Sequence, residues 1–103
     1  MAVEEIVWTN SALQDLQNIH DFISQDQPAH ANALIDNLVD STEELQDFPR
    51  LGRLFRFRQV RLRQLSVRGY RIIYRLAETQ IRIVSVLHGA RDINLALQSR
   101  KLH

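Results

Sequence analysis

Apolar residues recur at three- and four-residue steps through the first half of the chain and at every second position through much of the second half. Ala12, Leu13, Leu16, Ile19, Phe22 and Ile23 fall on one face of a helix over residues 10–25. Gln14, Asp15, Asn18 and Asp21 take its wet side. Thr9 or Asn10 supplies a cap, and a short strand, Val3–Trp8, precedes it. Asp26-Gln27-Pro28 separates this helix from a second one, for which Pro28 fits a first helical position. The second helix runs to about Asp47, with Ala31, Leu34, Ile35, Leu38, Val39, Thr42 and Leu45 as its apolar stripe. So short a link predicts an antiparallel helical hairpin. Pro49 and Gly52 end the helical region.

Beyond Gly52 the period changes to two. Leu54–Arg58, Val60–Val67, Tyr70–Leu76 and Ile81–His88 are rich in β-branched and aromatic residues and read as strands. Gly69 suits the positive-φ position of a short hairpin loop, and Ala77-Glu78-Thr79-Gln80 turns the next hairpin. The last two strands carry apolar groups on both faces, which places them centrally in a sheet. Ala90–Lys101 has the pattern of a short final helix. The predicted class is α+β: an N-terminal strand, an antiparallel helical hairpin, then an antiparallel sheet, in β-α-α-β-β-β-β order with a short C-terminal helix. The helices would cover one sheet face. The other would display Arg56, Arg58, Arg61, Arg63, Arg71, Arg75 and Arg82.

At 103 residues with 45% apolar content, this is one domain, residues 1–103. No apolar run approaches the roughly 18 residues of a membrane span. The N-terminus lacks the basic and apolar stretches of a signal peptide. With no cysteine, thiolate chemistry and disulfides are absent. A cytoplasmic setting is expected, although a cysteine-free exported chain is compatible with the same composition.

Charge alters the picture more. The formal net charge of +1 conceals −9 over residues 1–51 and +10 over residues 52–103, where eleven arginines accompany one lysine. Such asymmetry points to a polarised surface and a charged partner. Arginines on a sheet also solubilise it, but lysine would serve that purpose equally. Guanidinium adds bidentate contacts to phosphate or carboxylate and stacking on flat groups. Of the four histidines, His88 lies at a strand end beside Arg91 and Asp92 and has the pKa suited to proton transfer. A histidine in such a position more commonly serves structure. No His/Glu spacing resembles a metal site, and neither a metal nor a cofactor is expected.

The order and spacing of several segments resemble the ParE/RelE superfamily of bacterial toxins, also called plasmid-stabilisation proteins. These segments are Trp8, Ala12-Leu13-Gln14-Asp15-Leu16, Phe48-Pro49-Arg50-Leu51-Gly52-Arg53, the run Arg63–Arg75 and the run Ile81–Asp92. The resemblance covers residues 3–95 and implies a toxin held by a cognate antitoxin, most simply as a hetero-oligomer. It also implies one of two activities: inhibition of DNA gyrase by binding, as in ParE-like members, or ribosome-dependent mRNA cleavage, as in RelE-like members.

A metal-free RNA-cleaving site needs a base for the 2′-hydroxyl, cations for the phosphorane and an acid for the leaving oxygen. The resemblance offers Arg61, Arg63, Arg71, His88 and Arg91 for those roles. Leu62 and Gln64 stand where RelE-like enzymes carry lysines, and Ile93–Leu97 lacks their tyrosine. Arginine stays charged and shuttles protons poorly. The ending Val86–Asp92 is closer to the ParE branch. On that reading Arg61, Arg63, Arg71, Arg75, Arg82 and Arg91 meet the target, while Leu13, Leu16, Phe22 and Leu38 meet the antitoxin.

Overall fold

A computed structural model describes residues 5–102. Residues 3 and 4 of the expected first strand, and His103, lie outside the described residues. Strand β1 is Glu5–Trp8, helix α1 Asn10–Ser24 and helix α2 Pro28–Glu43, continued by a 3₁₀ turn at Glu44–Gln46. Thr9 caps α1: its hydroxyl accepts from the Ala12 N–H at 3.2 Å and donates to the Ile83 carbonyl at 2.9 Å. One side chain thus satisfies an orphan helix donor and ties the helix start to the sheet. Gln27 precedes Pro28 as the cap of α2, without a side-chain bond.

Four strands follow: β2 Arg53–Phe57, β3 Val60–Val67, β4 Tyr70–Ala77 and β5 Gln80–His88. Their hairpins turn on two residues each. Arg58 and Gln59 have φ of 51° and 66°, and Arg68 and Gly69 have φ of 52° and 83°. Positive φ at both central positions matches the right-handed strand twist. Arg58 is therefore a turn residue and not the end of a strand, and its guanidinium lies 5.1 Å from the centre of the Phe57 ring. Helix α3, Ile93–Leu97, is capped by Asp92.

The sheet order is β1-β5-β4-β3-β2. β2 to β5 form the expected antiparallel meander, and β1 joins β5 in parallel. The helical hairpin is the crossover that a parallel neighbour requires. It covers one face over a core that includes Leu16, Leu34, Leu38, Leu45, Ile72, Tyr74, Ile81, Ile83 and Val86.

The opposite face is not the open arginine surface that the sequence suggested. It carries a second core, in which Leu97 and Leu102 from α3 and the tail cover Phe57, Leu62, Ile73, Val84 and Leu87. Register divides the arginines as well. Arg63 pairs with Tyr74, whose ring is in the hairpin core, so Arg61 and Arg63 point to the helical side. Arg56 pairs with Arg61 and follows it. Arg71, Arg75 and Arg82 alternate with the other set and share the face of Ile73.

Candidate functional site

The C-terminal end of β5 holds the strongest proton-transfer candidate. His88 is exposed and pairs across the ladder with Tyr70, their rings edge to face with centroids 5.5 Å apart. Its Nδ1 accepts from the Ala90 N–H at 3.2 Å. Asp92 does not orient it, because Oδ1 of Asp92 accepts from Asn94 and Leu95 N–H at the start of α3. Among the described residues no carboxylate lies within ion-pair distance of His88. A cleft of about 330 Å³ joins His88 to Asn18, Ile19, Phe22, Tyr70 and Arg91.

Arg71 lies on the far face and is engaged internally. Its guanidinium donates to the Arg91 carbonyl and, at 3.4 Å, to Gln64 Oε1. Arg75 and Arg82 are direct cross-strand neighbours. Neither has an ion-pair partner among the described residues, and the buried Nε atoms of Arg71 and Arg82 make no hydrogen bond there. Like charges placed side by side in this way destabilise a sheet.

Arg61 and Arg63 belong to a third place, on the helical side. Arg63 Nη1 donates to the Gly52 carbonyl at 2.9 Å and to the Arg50 carbonyl at 3.3 Å. Beneath it, the fully buried Tyr74 receives the Gly52 N–H on its hydroxyl and donates that hydroxyl to the Pro49 carbonyl, both at 2.8 Å. Burial raises the Tyr74 pKa above its ordinary 10.0, against the opposing pull of the Gly52 N–H and the Arg63 charge. A Cβ on Gly52 would come within 2.7 Å of the Tyr74 ring, so this close approach demands glycine.

The five ribonuclease candidates therefore do not converge. Arg61 and Arg63 lie by the Gly52 loop, whereas Arg71, from the opposite face, reaches the Arg91 carbonyl at the strand end that also holds His88. The four hairpin candidates divide too. Leu13 and Phe22 are 49% and 74% exposed. Leu16 and Leu38 are core residues, because the centres of the α1 and α2 stripes face the sheet.

Asp15 falls on the wet side of α1 by helical periodicity, yet it is drawn inward and buried. One carboxylate oxygen accepts from the Val86 N–H at 2.9 Å and from the Ser85 hydroxyl at 3.3 Å, while the other meets Arg100 at 2.6 Å. β1 ends at Trp8, opposite Ile83, so β5 is an open edge beyond that point and Asp15 covers it. Nothing in the local pattern marks that role, since it depends on where β1 stops.

A family profile described as "ParE toxin of type II toxin-antitoxin system, parDE" matches residues 6–93. The chain belongs to the ParE toxin family. Toxin RelE2 of Caulobacter vibrioides is 36% identical over 88 residues, which are 84% of this chain and 97% of that protein. Among solved structures, one described as the chromosomal ParDE TA system from P. aeruginosa superposes with a TM-score of 0.74 at 20% identity, covering 85% of this chain and 98% of the other. The toxin–antitoxin complex RelBE2 from Mycobacterium tuberculosis superposes with a TM-score of 0.62 at 22% identity, covering 82% and 95%. At such identities the two structures establish the fold. The chain is thus a toxin of a type II toxin–antitoxin system, with the ParE/RelE architecture. Among its described residues no helix is long and apolar enough to cross a membrane.

Proposed function

We propose that this ParE-family toxin inhibits DNA gyrase by binding it, and that a cognate antitoxin neutralises the toxin by covering Leu13 and Phe22 on the helical hairpin. The observation that carries the reading is the separation of Arg61 and Arg63, by the Gly52 loop, from Arg71, His88 and Arg91 at the end of β5, where the Arg71 guanidinium is occupied by the Arg91 carbonyl and Gln64 Oε1. RNA cleavage by 2′-hydroxyl attack needs base, cation and acid within hydrogen-bond reach of one phosphate. Inhibition by binding needs only complementary surface, and the arginines supply cations over a wide area. The similarity to structures described as ParDE and RelBE2 toxin–antitoxin systems supports an antitoxin partner.

The likeness to a relative named RelE2 favours a second reading, a ribosome-dependent mRNA endoribonuclease. Two assays on the same purified protein separate them: gyrase supercoiling, and cleavage of mRNA on translating ribosomes. Supercoiling lost on titration with toxin, with mRNA intact, is the expected result. Cleaved mRNA with unimpaired supercoiling overturns the gyrase reading.

A further inference from the structure

We infer that the segment Phe48–Leu54 is the element by which this toxin docks on its target, and that the surface it fits is an apolar patch ringed by carboxylates on gyrase. The inference rests on the gyrase reading and assigns the contact within it. Phe48, Leu51 and Leu54 are 65%, 49% and 43% exposed, although the segment itself is tightly built. Tyr74 holds it at Pro49 and Gly52, and Arg63 holds it at Arg50 and Gly52. The Phe48 N–H closes on the Glu44 carbonyl at 2.9 Å, and the Leu51 N–H on the Phe48 carbonyl at 3.0 Å. Large apolar side chains presented by a preorganised backbone bind without a further backbone ordering cost.

The charge around them selects the partner. Phe48, Pro49 and Leu51 line a cleft of about 450 Å³ with Asp47 and Arg50. Arg50 also belongs to an adjoining cleft of about 220 Å³, lined by Leu54, Arg61, Arg63, Leu76 and Glu78. Arg56 stands beside Arg61 across the β2–β3 ladder. Among the described residues neither Asp47 nor Glu78 pairs with any of these arginines, and the Arg63 hydrogen bonds go to neutral carbonyls. The clefts thus offer an apolar centre with an excess of unneutralised cations at the rim, which complements an acidic protein surface. Aliphatic Leu51 in the cleft of the Asp47 carboxylate, and Leu54 in that of Glu78, suit a nucleic acid poorly. Leu13 and Phe22 line neither cleft, so the hairpin surface assigned to the antitoxin is a separate one.

The test is surface plasmon resonance of the full-length toxin on immobilised gyrase, with supercoiling inhibition and melting temperature measured in parallel. The variants are Phe48→Ser with Leu51→Ser, Arg50→Glu, and Leu95→Ser as an exposed apolar control on α3. The first two are expected to weaken gyrase binding at least about tenfold and to reduce inhibition equally. Their melting temperatures should stay unchanged, and Leu95→Ser should bind as the unmodified toxin does. Undiminished gyrase binding by both loop variants overturns the inference. So does weakened antitoxin binding with gyrase binding intact, which makes the clefts an antitoxin seat. Capture of a DNA duplex or an RNA that is lost in the same variants overturns it in favour of a nucleic-acid surface. If the unmodified toxin fails to bind gyrase, the target reading falls and this contact falls with it. That failure is visible before any substitution is made.

Discussion

Tyr74 shows how one side chain can set the shape of a surface it never reaches. Tyr74→Phe keeps the ring in the hairpin core but leaves the Gly52 N–H and the Pro49 carbonyl without their shared partner. The expected loss is about 1–3 kcal/mol in urea unfolding. The raised pKa adds a pH signature. A phenol that ionises later when folded contributes stability that is complete below its unfolded pKa of about 10 and is lost as pH rises through the higher folded value. The fall in melting temperature above that pH should therefore be steeper in the unmodified chain than in Tyr74→Phe. Equal slopes would remove Tyr74 from the alkaline transition. His88 tests the chemistry instead. With no carboxylate among the described residues to orient it, His88→Ala should leave growth arrest nearly intact, whereas a general acid or base would lose on the order of 10²–10⁴-fold in rate. Growth arrest and mRNA integrity scored at matched expression distinguish the two outcomes.

At the level of elements, the fold is stitched where the ladders stop. Asp15 of α1 covers the bare edge of β5 and receives Arg100 from the tail, so three segments distant in sequence meet at one carboxylate. Asp15→Ala strands the Arg100 charge and an edge N–H in a mostly dry place. A destabilisation of about 3 kcal/mol is expected, at the lower end for a buried pair because both groups keep some water. Chemical denaturation measures it, and a change below 1 kcal/mol would reduce the clamp to an ordinary surface ion pair. The helical hairpin should behave oppositely. Leu13→Ser and Phe22→Ser change exposed positions, so melting should hardly move, by less than about 0.5 kcal/mol. Antitoxin affinity should drop, as isothermal titration would show. Core positions Leu16 and Leu38 cannot make this distinction, because replacing either would unfold the domain before it tested a partner.

For the whole molecule, the dominant property is charge segregated along the chain: an acidic helical half and an arginine-rich sheet half with few internal ion pairs among the described residues. Charge left unpaired at home is available to partners and acts over a Debye length, about 8 Å at physiological salt. Raising salt from 50 to 500 mM should slow association with gyrase markedly and change dissociation little, because rim charges steer encounter while the apolar centre holds the complex. Stopped-flow or surface plasmon kinetics read this directly. A salt effect confined to the dissociation rate would place the arginines inside the contact rather than around it.

Much of this architecture is written in local pattern. The helical hairpin follows from a 3.6-residue apolar stripe interrupted at Asp26-Gln27-Pro28, and β3 and β4 follow from alternation bounded by Arg68-Gly69. Both signals depend only on neighbours in the chain, as does the Thr9 cap. The segregation of charge is likewise a property of sequence alone. Which face each arginine occupies is not local, because it depends on cross-strand register, and shifting a strand by one residue moves every side chain to the other side. Arg63 beside Tyr74 and Arg75 beside Arg82 were decided there. The burial of Asp15 was decided by the length of β1, and the covering of the second sheet face by the return of Leu97 and Leu102 from the far end of the chain. Those contacts join residues that periodicity treats as independent, so only the folded chain could bring them together.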